Sequence, residues 1–249
     1  IADNCSIADL FFVGDSIFDC SEIGTRTLQV RLKDVNGNET TKSISIVAKD
    51  SLAPDSLGVQ DFTIYLNASG AATLSADSVV LYTSDNCSVT DTTLSQTSFD
   101  CTNLGSNSIT VTISDPSSNT TTKTINIEVL DTIKPNSLVV QDITRYLDSS
   151  GSDTISVFDV YVSSSDNCGV TQIEVSDSIF NCSNVGTVDV VVSISDASGN
   201  TITDTATITY LDTLAPFDVV LNKTIDLYLD MGNANLEKDS VVVQAFDNC

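Results

Sequence analysis

The apolar positions of this chain alternate. Leu28, Val30 and Leu32 stand two residues apart, and Ile44, Ile46 and Ala48 do the same after the polar turn Asp34-Val35-Asn36-Gly37-Asn38. The pattern returns as Ile109, Val111 and Ile113, the turn Asp115-Pro116-Ser117-Ser118-Asn119, then Ile125, Ile127 and Val129. It returns again as Val188, Val190, Val192 and Ile194, the turn Asp196-Ala197-Ser198-Gly199-Asn200, then Ala206, Ile208 and Tyr210. Period-two patterning on both sides of a Gly/Asn/Asp turn predicts an antiparallel hairpin with one buried face. The central turn has Pro116 and no Gly, so its local geometry is expected to differ. Apolar residues alternate instead of recurring at helical spacing, so helix is expected to be nearly absent.

Each hairpin leads into a joint with one proline: Asp50-Ser51-Leu52-Ala53-Pro54, Asp131-Thr132-Ile133-Lys134-Pro135 and Asp212-Thr213-Leu214-Ala215-Pro216. Five residues with a central apolar side chain and a Pro predict a short, stiff connection. Two more strands are expected after each joint. One ends in Tyr65-Leu66, Tyr146-Leu147 or Tyr228-Leu229, and the other runs through Val79-Val80-Leu81, Val160-Tyr161-Val162 or Val241-Val242-Val243. A polar turn such as Asp148–Gly151 separates them.

All of this repeats in phase with the tripeptide Asp-Asn-Cys, at Asp3-Asn4-Cys5, Asp85-Asn86-Cys87, Asp166-Asn167-Cys168 and Asp247-Asn248-Cys249, in steps of 82, 81 and 81 residues. Fixed-period self-similarity marks a modular array. About seven short strands per repeat, with turns every 8–12 residues, predict tandem immunoglobulin-like β-sandwiches, an all-β fold. The expected modules are a C-terminal part (1–50), two complete repeats (51–131 and 132–212) and an N-terminal part (213–249). The chain therefore reads as a window on a longer linear array.

Composition narrows the function. The net charge is −24, and 29 of the 34 acidic residues are Asp. Asp favours turns and is an oxygen ligand for hard cations, whereas Glu suits helices. So acidic a surface argues against nucleic acid or anionic lipid as partner. The chain has no His, the usual general base, and no Gly-rich phosphate loop. Nothing singles out one carboxylate pair for glycoside hydrolysis. There is no Trp, and Phe99, Phe180, Tyr146 and Tyr210 stand at repeat positions that read as core rather than as a sugar-stacking platform. The chain is not expected to be an enzyme.

A second cysteine follows each Asp-Asn-Cys, as Phe18-Asp19-Cys20, Phe99-Asp100-Cys101 and Phe180-Asn181-Cys182. Recurrence in phase suggests short-range disulfides Cys5–Cys20, Cys87–Cys101 and Cys168–Cys182, hence an oxidising, extracytoplasmic location. Each would close a loop of about 15 residues and stabilise its module by roughly 3 kcal/mol.

In an immunoglobulin-like module the B–C loop, the F–G turn and the incoming linker share one end. Three acidic elements should then converge there: Asp50, Asp85, Asp115 and Asn119 in one repeat, and Asp131, Asp166, Asp196 and Asn200 in the next. Asp3, Asp34 and Asn38 begin the same set in the leading fragment, and Asp212 and Asp247 in the trailing one. Carboxylate and amide oxygens without His or thiolate suit Ca²⁺, which takes six to eight oxygen ligands. The competing reading is that these are ordinary turn residues bonded to their own backbone.

The succession Tyr146-Leu147-Asp148-x-x-Gly151, Asp166-Asn167-Cys168-Gly169-Val170, Phe180-Asn181-Cys182-Ser183-Asn184-Val185-Gly186, Asp196 to Asn200 and Asp212 to Pro216 resembles the HYR-like and Ig-like repeats of giant surface adhesins of Bacteroidetes, among them the SprB-type gliding-motility adhesins. The resemblance covers the whole chain and is specific for the repeat class. It implies export by type IX secretion and anchoring at the outer membrane. The implied partners are neighbouring repeats of the same chain, the surface motility and anchoring machinery, and surface glycans at the distal end. Proteins of this phylum are O-glycosylated at Asp-(Ser/Thr)-apolar triplets, which makes Ser16, Ser56, Ser78, Thr132, Ser178, Thr205 and Ser240 candidate acceptors. The reading is a glycosylated, cell-surface stalk. Its alternatives are a passive spacer that presents a secreted enzyme or binding domain, and modules that bind carbohydrate directly.

Overall fold

A computed structural model describes residues 6–221, 224–228, 234–236 and 241–249. Asp3, Cys5, Leu229, Asp239 and Ser240 lie outside them. The chain is all-β and falls into two compact units, Ile1–Leu66 with Ala71–Leu130, and Asn67–Gly70 with Asp131–Cys249.

The first unit opens with β1 (Ile7–Val13), β2 (Gly24–Asp34) and β3 (Glu39–Ala48), an antiparallel sheet in the order β1-β2-β3. It continues with β4 (Ser56–Val59), β5 (Phe62–Tyr65), β6 (Ala71–Thr73), β7 (Val80–Ser84), β8 (Asp91–Leu94), β9 (Ser98–Asp100), β10 (Gly105–Ser114) and β11 (Thr120–Leu130). These form a four-stranded sheet β5-β11-β10-β8 and the pairs β4-β7 and β6-β9. All pairings are antiparallel except β5 with β11.

The second unit repeats the plan. It comprises β12 (Asn136–Val140), β13 (Ile143–Tyr146), β14 (Ser152–Thr154), the one-turn helix α1 (Val157–Val160), β15 (Tyr161–Ser165), β16 (Val170–Val175), β17 (Ile179–Asn181), β18 (Gly186–Asp196) and β19 (Thr201–Leu211). The sheets are β13-β19-β18-β16, β12-β15 and β14-β17, and a last pair joins β20 (Phe217–Leu221) to β21 (Val242–Phe246).

The alternation sets the core. Ile109, Val111, Ile113, Ile125, Ile127 and Val129 are all buried, while Thr122, Lys123 and Glu128 between them are not. In the second unit Val190, Val192, Ala206, Ile208 and Tyr210 pack with Leu147, Ile155, Val160 and Phe180, and the Phe180 and Tyr210 rings lie 4.8 Å apart. Burying one such side chain is worth about 1.5–3 kcal/mol relative to exposure. Tyr146 departs from the expectation. It is 59% exposed, because Leu147 takes the inward position beside it.

The hairpins form as the pattern requires, β2 with β3, β10 with β11 and β18 with β19. The central turn does not differ in geometry. In all three the first Asp N–H donates to the Asn carbonyl, and the N–H of the fourth residue donates back to the Asp carbonyl. Gly37 (φ 88°) and Gly199 (φ 84°) fill that fourth place, and Ser118 adopts the same left-handed conformation (φ 67°).

Candidate metal centres

Asp50 opens the first joint, Asp85 stands in the β7–β8 loop, and Asp115 begins the β10–β11 turn. One carboxylate oxygen from each lies within 4.8 Å of the others, and Asp131, Asp166 and Asp196 make the same constellation in the second unit. Asp115, Asp131 and Asp196 are only 3–5% exposed.

Local chemistry places each group. Asp115 Oδ1 accepts from the Asn119 backbone N–H at 2.8 Å, and its Oδ2 accepts from Asn119 Nδ2 at 2.7 Å. The same amide nitrogen donates to the Asp50 carbonyl at 3.3 Å, tying the turn to the linker. Asp85 Oδ2 accepts from the Cys87 N–H at 2.8 Å. Asp50 Oδ1 accepts from the Leu52 N–H at 3.1 Å and from Asn86 Nδ2 at 3.3 Å.

The second centre repeats these bonds. Asn200 donates to both oxygens of Asp196 at 2.9 and 2.8 Å and to the Asp131 carbonyl at 3.2 Å. Asp166 Oδ2 accepts from the Cys168 N–H at 2.8 Å, and Asp131 Oδ1 from Ile133 N–H at 3.1 Å and Asn167 Nδ2 at 3.0 Å. Asn119 and Asn200 therefore turn their amide nitrogens to the carboxylates and orient them.

What these bonds leave over is the informative part. Asp50 Oδ2 and Asp85 Oδ1, and likewise Asp131 Oδ2 and Asp166 Oδ1, are buried and accept no hydrogen bond. A buried carboxylate oxygen without a partner is costly, and several close together repel. The ion pairs among the described residues, Arg31–Glu39, Lys33–Glu39 and Arg145–Asp153, lie elsewhere. An all-oxygen donor set with neither His nor thiolate fits a hard divalent cation of the Ca²⁺ type. At Asp115, burial pushes the carboxyl up, yet the Asn119 side chain and backbone and the Ser117 N–H together hold it below the ordinary value.

The disulfides are not the expected ones. Cys20 bonds to Cys87 and Cys182 to Cys249, each across 67 residues, which overturns the pairings Cys5–Cys20, Cys87–Cys101 and Cys168–Cys182. Cys101 and Cys168 are disulfide-bonded as well. The reason lies in the strand path. Cys87 stands beside the incoming linker, where β8 starts opposite the far end of β10 (Asp91 with Ser114). Cys101 precedes Gly105, which pairs with Val129 at the outgoing end. The length of β10, ten residues or roughly 33 Å, separates the two cysteines. Cys20 likewise precedes Gly24, which pairs with Ala48 next to the linker, so it meets the cysteine of the following repeat.

The seam at Cys182–Cys249 is closely fitted. Asn248 Nδ2 donates to the Asp148 carbonyl and to Asp212 Oδ1, both at 3.1 Å. A Cβ on Gly151 (φ +70°) would meet the Asn248 carbonyl oxygen at 2.3 Å and Cys182 Sγ at 2.6 Å.

Of the candidate glycan acceptors, Ser16, Thr132 and Thr205 are exposed and Ser56, Ser78 and Ser178 are half-buried. Among the described residues no helix is long and apolar enough to cross a membrane.

No protein-family profile matches the chain, and no curated protein does. Among solved structures, the extracellular domain of protocadherin gamma-B4 is 16% identical with a TM-score of 0.34, over 80% of this chain and 39% of that one. Titin domains I67–I69 give 8% and 0.36 over 75% of each chain. Drosophila N-cadherin EC1-4 gives 15% and 0.30 over 76% of this chain and 58% of that one. The chain thus spans about two fifths of the protocadherin gamma-B4 chain.

Proposed function

We propose that these modules form part of the stalk of a long extracellular adhesin, with Ca²⁺ held at the incoming end of each repeat. The supporting observation is the same in both centres: three carboxylates from linker, loop and hairpin turn converge, and two of their buried oxygens have no partner. A bound divalent cation supplies the charge that these oxygens lack. Asp50 and Asp131 belong to the joint itself, so ligation fixes the joint's direction relative to its module. Asn119 and Asn200 hold the turn carboxylate and the linker carbonyl in place. The role is mechanical and non-catalytic: the modules hold a distal binding region away from the cell. The repeat signatures point to a surface adhesin of the gliding type, exported and anchored at the outer membrane. Surface glycans would be met at the distal end, and the motility machinery at the other.

Small-angle scattering on the whole chain tests this reading. The expected result is a longer, stiffer particle in millimolar Ca²⁺ than in chelator. Identical curves in both would remove Ca²⁺ from the joints.

A further inference from the structure

The disulfide connectivity has a mechanical consequence that is independent of any ion. Cys20–Cys87 and Cys182–Cys249 each close a covalent loop spanning 67 residues. A pull on the two chain ends reaches Cys20 and crosses the sulfur bridge to Cys87, because that path is far shorter than the chain between them. It then runs on to Cys182 and crosses to Cys249. The loops contain β2 to β7 in the first case and β18 to β21 in the second. They therefore hold two of the three long hairpins, β2–β3 and β18–β19, together with the Asp50 and Asp212 joints.

We infer that the bridges are force-carrying shortcuts, which carry tension past the 67 residues each one encloses and keep that chain from extending. In this arrangement the chain inside each loop cannot lengthen under load while its bridge is intact. Each loop is 67 residues, so each bridge withholds roughly 23 nm of extended chain. The Asp212 joint is secured twice. The sulfur bridge spans it covalently, and Gly151 with the Asn248 amide closes the seam around the second bridge. The inference rests on the stalk reading for its purpose, since a stalk must transmit displacement without paying out chain.

Single-molecule stretching of the whole chain between cysteine-free handles tests it, reading the contour length at full extension, which does not depend on whether a variant folds. Removing one bridge by Cys20→Ser with Cys87→Ser should lengthen the extended chain by roughly 23 nm, and Cys182→Ser with Cys249→Ser by the same amount. The two gains should add in the quadruple variant. A gain of only about 10 nm for the first pair and about 5 nm for the second would mean short-range bridges, and no gain would mean none; either overturns the inference. Neither outcome bears on Ca²⁺, so the stalk's ion sites stand or fall separately in the scattering experiment.

Discussion

At the scale of single residues, Ser118 shows how strongly the repeat imposes its geometry. The turn needs a left-handed residue in its fourth position, and the neighbouring repeats use Gly37 and Gly199. A side chain there costs roughly 1–2 kcal/mol, part of which glycine returns through its freer unfolded chain. Ser118→Gly should therefore raise stability by about 0.5–1 kcal/mol in urea unfolding, whereas Ser117→Gly, next to it and at negative φ, should not. The carboxylates were the residue-level feature most legible in the sequence, since their recurrence in three elements of one module end follows from topology. The unpartnered oxygens of Asp85 and Asp166 were not legible, because they depend on where a single Asx hydrogen bond falls.

At the scale of elements, the hairpins could be read from alternation and the bridges could not. A repeat of 81 residues with two cysteines allows a pairing within the repeat or across 67 residues to the next, and both recur in phase. What decides is that β8 and β9 run the length of the module between Cys87 and Cys101, a fact of strand path rather than spacing. Tyr146 was misread for a related reason. Tyr146-Leu147 is one outward and one inward position, and size alone did not say which. Turn chemistry at this scale also has a pH signature. At Asp148 the Ser150 hydroxyl, with the backbone N–H groups of Ser152 and Ser150, holds the carboxyl below the ordinary 3.8. The stability from such a lowered group is fully present above the unfolded value and is lost as pH falls through the folded one. A carboxyl NMR titration should place the Asp148 midpoint below 3.8, and Ser150→Ala should move it up toward that value.

At the scale of the molecule, two devices meet at the Asp50 joint: the Cys20–Cys87 bridge spans it, and the Asp50, Asp85 and Asp115 carboxylates gather there, where the proposed cation would fix its angle. The tandem β-sandwich plan was legible from period and patterning, and the oxidising setting from the cysteines, although their partners were wrong. The division of labour between the devices was not legible, because it arises only where Asp50, Asp85 and the Cys20–Cys87 bridge meet at one joint. The two carboxylate clusters are proposed cation sites. Calorimetric titration of the chelated protein with Ca²⁺ tests this assignment most directly. The expected result is two ions per chain and a rise in Tm, with affinity at one site falling at least tenfold in Asp166→Asn, about 1.4 kcal/mol, while the other is unchanged. No heat and no change in Tm on adding Ca²⁺ would contradict it.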